Sequence, residues 1–197
     1  MTKDQRPETR ALVDIVIKLG GSLLAHPAHL EAVLVAIGDA AAGARLLVVP
    51  GGGPFADAVR QVDREFTLSD DAAHWMAVLA MDQYAHLITS RLTGSVLVED
   101  VGEIEAAIAA SQVPVLAPSR WLRNADPLPH TWNVTSDSIA AWVAGMVSAE
   151  RLVLVKPPGA PARDSVDEYF HRACPESVTS VIVPADRTDA LRASLRV

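Results

Sequence analysis

Two hydrophobic registers alternate along this chain. Short, unbroken apolar runs recur at intervals, and between them apolar residues return every three or four positions. An unbroken run fits a strand covered on both faces. Strands are therefore predicted at about residues 13–18, 45–50, 95–99, 113–117, 152–156 and 178–183. Helical spacing predicts helices at about 28–42, 54–64, 70–92, 101–111, 135–147, 164–173 and 188–195. Leu30, Val33, Leu34 and Ile37 mark the apolar face of the first, and Gly43 is placed to end it. Ser69 followed by Asp70 and Asp71 is a capped helix start with acids facing the positive dipole end. Residues 118–129, with a proline at each end, read as irregular, and residues 1–8 as a frayed tail.

Strands that alternate with helices imply a mainly parallel sheet with helices on both faces, the α/β class. A length of 197 residues suits one domain. In such sheets ligands gather at the C-terminal ends of the strands. Two successive strands here run into glycine turns, Gly20-Gly21 and Gly51-Gly52-Gly53, so both turns are expected to face one crevice.

Charge and cysteine usage narrow the classes of function. The net charge is −7 and no basic block occurs, which argues against nucleic acid as the main partner. Cys174 is the sole cysteine, which excludes an internal disulfide and points to a reducing compartment, the cytoplasm. The first ten residues are polar rather than signal-like, and no apolar run approaches the roughly 20 residues that span a bilayer, so no membrane partner is expected.

Candidate chemistry begins at Val16-Ile17-Lys18-Leu19-Gly20-Gly21-Ser22-Leu23. A strand ending in lysine and running into glycines offers a positive charge beside free N–H groups, which is what a polyphosphate requires. It is not a Walker loop, because G-x-x-x-x-G-K-S/T is absent. An ordinary strand-to-helix turn with a surface lysine is the competing reading. Lys156 ends a second apolar strand in the same way, as one arm of a cationic clamp or as a plain exposed cation. In His130-Thr131-Trp132-Asn133-Val134-Thr135-Ser136-Asp137-Ser138, Thr135 or Ser136 can cap a helix. Asp137 in its first turn then serves the helix dipole, or else orients a lysine or a magnesium ion. Asn133, Thr135 and Ser136 would supply neutral hydrogen bonds, and His130 contacts an anionic substrate or is a loop histidine. Trp132 stacks on a flat ring or simply packs. No histidine spacing suggests a metal site, and no G-x-S-x-G elbow suggests a hydrolase.

Lys18-Leu19-Gly20-Gly21-Ser22, Pro50-Gly51-Gly52-Gly53-Pro54-Phe55-Ala56 and Thr135-Ser136-Asp137-Ser138, in this order, resemble the amino acid kinase superfamily. The runs from Gly51 to Arg60 and from Pro129 to Ser138 are most similar to its methanofuran-biosynthesis branch, the [5-(aminomethyl)furan-3-yl]methyl phosphate kinases. The resemblance implies an open αβα sandwich that dimerises with a second copy or a related subunit through a long helix. It implies transfer of the ATP γ-phosphoryl group to a small phosphomonoester, with Mg²⁺. Carried over, Lys18 stabilises the transferring group and Asp137 orients the lysines. Gly20, Gly21 and Ser22 cradle the ATP phosphates, and Gly51, Gly52 and Gly53 hold the acceptor. Residues 13–150 would form the acceptor and phosphate lobe, and 151–197 a shortened nucleotide lobe. There the family's Thr-Asp-Val-Asp-Gly gives way to Leu154-Val155-Lys156-Pro157-Pro158-Gly159, so Lys156 stands in for a lysine that normally comes later. A non-catalytic relative that lost nucleotide binding, or a kinase for another small acceptor, fits the same motifs.

Overall fold

The computed structural model describes residues 11–161 and 165–197. Its strands are β1 (Ile15–Leu19), β2 (Leu46–Pro50), β3 (Ser95–Val98), β4 (Val113–Leu116), β5 (Arg151–Lys156) and β6 (Thr179–Pro184). They form one sheet in the order β3-β4-β2-β1-β5-β6, and every pairing is parallel. The helices are α1 (Pro27–Ala40), α2 (Gly53–Phe66), α3 (Asp70–Arg91), α4 (Val101–Ala109), α5 (Ser119–Ala125), α6 (Ser136–Met146), α7 (Phe170–Ala173) and α8 (Thr188–Ser194). The layered α/β architecture expected from the alternating pattern is what the chain adopts. From β1 the sheet runs through β2 and β4 to β3 at one edge, and through β5 to β6 at the other. The β1–β5 boundary is thus a topological switch point, where the two halves diverge and leave a crevice.

Alternation along each strand divides the core in two. Val16, Leu47, Val49, Leu152 and Leu154 face one layer, where α6 supplies Ile139, Ala140 and Val143. Ile15, Ile17, Leu19, Val153 and Val155 face the other, built on α1, α8 and the second half of α3. α3 serves both layers: Val78 and Met81 join the first, and Tyr84, Ala85 and Ile88 the second. A helix buried on several sides has no use for a polar stripe, which explains why its apolar residues follow no single face.

Two short segments depart from the expected elements. Residues 119–125, expected to be irregular, form α5, which buries Trp121 and Leu122 and closes at Asp126 in a left-handed conformation, φ 41°. Seven residues are too few for helical periodicity to register. The turn after β1 is a short 3-10 helix, Gly21–Ala25. The helix expected at 164–173 is confined to Phe170–Ala173. Residue 164 lies outside the described residues, and 165–169 form turns that place Asp167 against α6. The expected tail, residues 1–8, also lies outside them. Among the described residues, no helix is long and apolar enough to cross a membrane.

The two glycine turns touch each other. A Cβ on Gly21 would sit 1.9 Å from the Gly53 amide nitrogen, and Gly53 itself holds φ +56°. The absence of side chains here lets two backbones meet, beyond any ligand they hold. Gly21→Ala is accordingly expected to cost about 3 kcal/mol, read as a lowered denaturant midpoint; an unchanged midpoint would show that the turns can separate freely. Tyr84 makes the opposite case. Its ring is fully buried, and its hydroxyl has no hydrogen-bond partner among the described residues. Leaving a buried polar group unpaired costs about 1–3 kcal/mol, so Tyr84→Phe should raise the melting temperature. A drop would reveal a partner for that hydroxyl.

Candidate active site

Strand parity decides where the two strand-terminal lysines point. Lys18 lies two residues beyond Val16, and Lys156 two beyond Leu154, so both side chains emerge on the α6 face of the sheet. β1 and β5 are hydrogen-bonded neighbours, which brings the lysines to adjacent positions at the switch point. α6 begins over this edge. Its N-cap, Thr135, accepts a hydrogen bond from the Asp137 amide, and Asp137 in the first turn is lowered between the lysines.

Lys18 Nζ stands 2.8 Å from Asp137 Oδ1, and Lys156 Nζ 2.6 Å from Asp137 Oδ2. The second contact is a well-directed hydrogen bond; the first is an ion pair whose angle falls outside hydrogen-bond geometry. Lys18 and Asp137 are each 4% exposed and Lys156 9%. Burial alone would push the Asp137 carboxyl up, but the two lysines overrule it and hold it below the ordinary carboxylate value. Burial, reinforced by the charge of Lys18, depresses Lys156 against the pull of Asp137. With all three groups ionised, the trio by itself carries a net positive charge away from water, and the charge of Asp167 also acts on Lys156. Such a charge is costly unless an anion joins it.

Asp167, which the sequence reading did not single out, secures the helix that carries Asp137. Its Oδ2 accepts from the Thr135 amide at 2.9 Å, the Thr135 hydroxyl at 2.7 Å and the Ser138 amide at 3.1 Å. Its Oδ1 accepts from the Ser138 hydroxyl. These are the orphan donors of a helix start, and a carboxylate is the natural cap for them. No local spacing marks Asp167, because its partners lie 29 and 32 residues away in the chain.

Beside the trio, a cavity of about 230 Å³ opens between the glycine turns, α2, α3 and the loop before α6. Gly21, Ser22, Gly52, Gly53, Thr135 and Ser136 all line it. The Thr135 hydroxyl is committed to Asp167. Gly20 and Gly51 border the turns, but their amides extend the sheet, donating to Val155 O at 2.9 Å and Leu19 O at 2.7 Å. His130 and Asn133 are not among the lining residues. Asn133 is exposed, and both ring nitrogens of His130 are engaged by Asp71 at 2.6 Å and Asp126 at 2.9 Å.

The cavity also draws on residues not selected beforehand. Val78, Met81, Val134 and Ile139 give it an apolar floor, while Arg60, Asp70 and His74 bring polarity. Trp132 lines it with a fixed ring: the indole N–H donates to Asp63 at 2.8 Å, and the Arg60 guanidinium lies 4.9 Å from the ring centre. Arg60 and His74 sit on helix faces that only the fold turns inward. Among the described residues, no three His, Cys, Asp or Glu side chains gather as a metal-holding group.

The chain has known relatives. The model of the amino acid kinase family matches residues 15–157. The [5-(aminomethyl)furan-3-yl]methyl phosphate kinase of Methanocaldococcus jannaschii is 26% identical over 142 residues, covering 71% of this chain and 63% of that protein. The chain thus spans less than two thirds of that relative's length. Uridylate kinase from Archaeoglobus fulgidus shares the fold with a TM-score of 0.68 at 17% identity, over 92% of this chain and 96% of that one. UMP kinase from Bacillus anthracis does so with a TM-score of 0.70 at 13% identity, over 91% and 90%. The family match runs from the first residue of β1 to the residue after Lys156, taking in both lysines, both glycine turns and Asp137. The chain belongs to the amino acid kinase family.

Proposed function

We propose that this protein is a small-molecule kinase that transfers the γ-phosphoryl group of ATP to a phosphomonoester, producing a diphosphate and ADP. The observation that carries this reading is the buried trio of Lys18, Asp137 and Lys156, two cations on one carboxylate. Phosphoryl transfer asks little covalent chemistry of a protein. It asks for alignment, and for fixed positive charge where the transferring oxygens become more negative. An acceptor phosphate oxygen attacks the γ-phosphorus, the bond to the β–γ bridging oxygen breaks, and ADP leaves with that electron pair.

In this reading Lys18 and Lys156 flank the transferring group. Asp137 does not touch it but keeps both ammonium groups aimed and apart. The amides of Gly21 and Ser22 open the 3-10 turn, where first-turn donors lack intrahelical acceptors, and they suit the nucleotide phosphates. Gly52, Gly53 and Ser136, on the cavity wall, suit the acceptor. Mg²⁺ would arrive with the nucleotide, bound mainly by phosphates and water. The similarity to the archaeal phosphate kinase makes [5-(aminomethyl)furan-3-yl]methyl phosphate the leading acceptor, and with it a place in methanofuran-type one-carbon cofactor synthesis. An apolar floor and a fixed indole suit a small flat ring.

Replacing Lys18 leaves Lys156 and Asp137 as a neutral pair, so Lys18→Met should fold normally while kcat falls by about 10²–10³. Wild-type turnover in that variant would sink the clamp. Asp137→Asn instead leaves two buried lysines facing each other without a counter-charge. It should cost about 3–5 kcal/mol of stability in addition to rate, measured by chemical denaturation. Because the Lys156 pKa is lowered, its proton leaves at a pH below lysine's ordinary 10.5. Deprotonation removes the clamp's excess charge, so kcat/KM should decline on the alkaline side with an apparent pKa below that value. A profile flat to pH 10.5 would remove Lys156 from the mechanism.

A further inference from the structure

The cavity wall formed by α3 has chemistry that phosphate binding does not use. Asp70 and His74 lie one helical turn apart, where side chains share a face, and both line the cavity. An aspartate and a histidine so placed would ordinarily pair. Here His74 is stacked instead on His130, with ring centres 4.0 Å apart and planes 15° from parallel. His130 is clasped on both ring nitrogens, by Asp71 and by Asp126. That clasp favours the imidazolium form of His130: the Asp71 hydrogen bond raises its pKa most, with Asp126 adding to it. Burial pushes the His74 pKa down most, and the positive ring stacked against it acts in the same direction, so it falls to about 4.

Two consequences follow. His74 faces the cavity as a neutral ring, and a neutral imidazole always has one nitrogen able to accept a hydrogen bond. Asp70 has no cationic partner among the described residues. The cavity is therefore bipolar. Thr135 and Ser136 on its wall lead directly into Asp137 of the Lys18–Asp137–Lys156 trio, while the α3 wall offers an unpaired carboxylate and a neutral acceptor. Trp132, fixed by Asp63 and Arg60, also lines the cavity.

We infer that Asp70 and His74 form an ammonium subsite, and that the acceptor is a flat phosphomonoester carrying a primary amine at the end remote from its phosphate. This rests on the cavity being the acceptor site, as proposed above. The ammonium donates to the Asp70 carboxylate and to the free nitrogen of His74. His130 acts as a positioning residue, keeping His74 unprotonated and in place without touching the ligand.

The test compares binding of [5-(aminomethyl)furan-3-yl]methyl phosphate with that of its analogue bearing methyl in place of aminomethyl. Calorimetry on the full chain reads affinity independently of turnover. The wild type should bind the amine about tenfold more tightly, the scale of one charge-assisted hydrogen bond. Asp70→Asn should erase most of that preference by weakening only the amine, and Asp70→Glu should restore part of it. Asp70 is exposed, so neither change threatens the fold. Equal affinities in the wild type, equal losses for both compounds in Asp70→Asn, or no binding of either compound would each overturn the subsite. The kinase reading fails separately, if the amine binds as described but is not phosphorylated with Mg-ATP.

Discussion

Two lysines share one carboxylate in a place that water barely reaches, and the arrangement at the switch point answers to that constraint. A buried ion pair is at best a modest source of stability, because desolvation offsets most of the attraction. A buried trio with charge left over is worse than modest in the free protein. Its value lies in what it is ready to receive. The strength of a fixed charge grows as water is excluded, so the feature that burdens the fold is the one that would stabilise a phosphoryl group in flight. Asp167 belongs to the same account. By satisfying the donors at the start of α6, it spares Asp137 from serving as that cap and leaves both carboxylate oxygens for the lysines.

The sheet makes this possible through parity and through glycine. Parity sends Lys18 and Lys156 to the same face from neighbouring strands, and one residue of slip in either would point its lysine into the apolar layer built on α1 and α8. Glycine lets the turn after β1 and the turn after β2 meet backbone to backbone, where a Cβ on Gly51 would fall 2.6 Å from the Gly21 amide nitrogen. The turn after β1 and the turn after β2 are thus packed as one unit beside the ends of the lysine-bearing strands. Alignment of two substrates needs this kind of rigidity more than it needs additional contacts.

Much of the architecture was legible in the sequence because strands covered on both faces write themselves as unbroken apolar runs. All six strands lie within a residue or two of where those runs placed them. The lysines could be read as strand-terminal for the same reason, and Asp137 as a first-turn residue from Thr135 before it. Features made by contacts between distant segments could not be read. Asp167 reaches α6 across about thirty residues, and nothing beside it in the chain suggests a cap. α5 is too short to show a period. His130 could be noticed for its neighbours, but not the two carboxylates that engage its ring nitrogens or its stacking on His74, which lines the cavity.

That last arrangement explains how one cavity can treat two charges differently. An acidic protein that is to bind a phosphomonoester must confine its cations near the phosphate, or its field would repel the ligand; Lys18 and Lys156 are so confined, side by side at the ends of β1 and β5. The remaining cations near the far wall are already spent. Arg60 is paired with Asp57 at 2.8 Å and lies over Trp132, while Asp71 and Asp126 hold His130. Asp70 is left without a cationic partner among the described residues, on the α3 wall of the cavity. A ligand negative at both ends would find the clamp but meet Asp70, and a ligand positive at both ends would be refused by the lysines. Discrimination of this kind comes from what each wall repels as much as from what it attracts, and it favours a molecule whose two ends carry opposite charge.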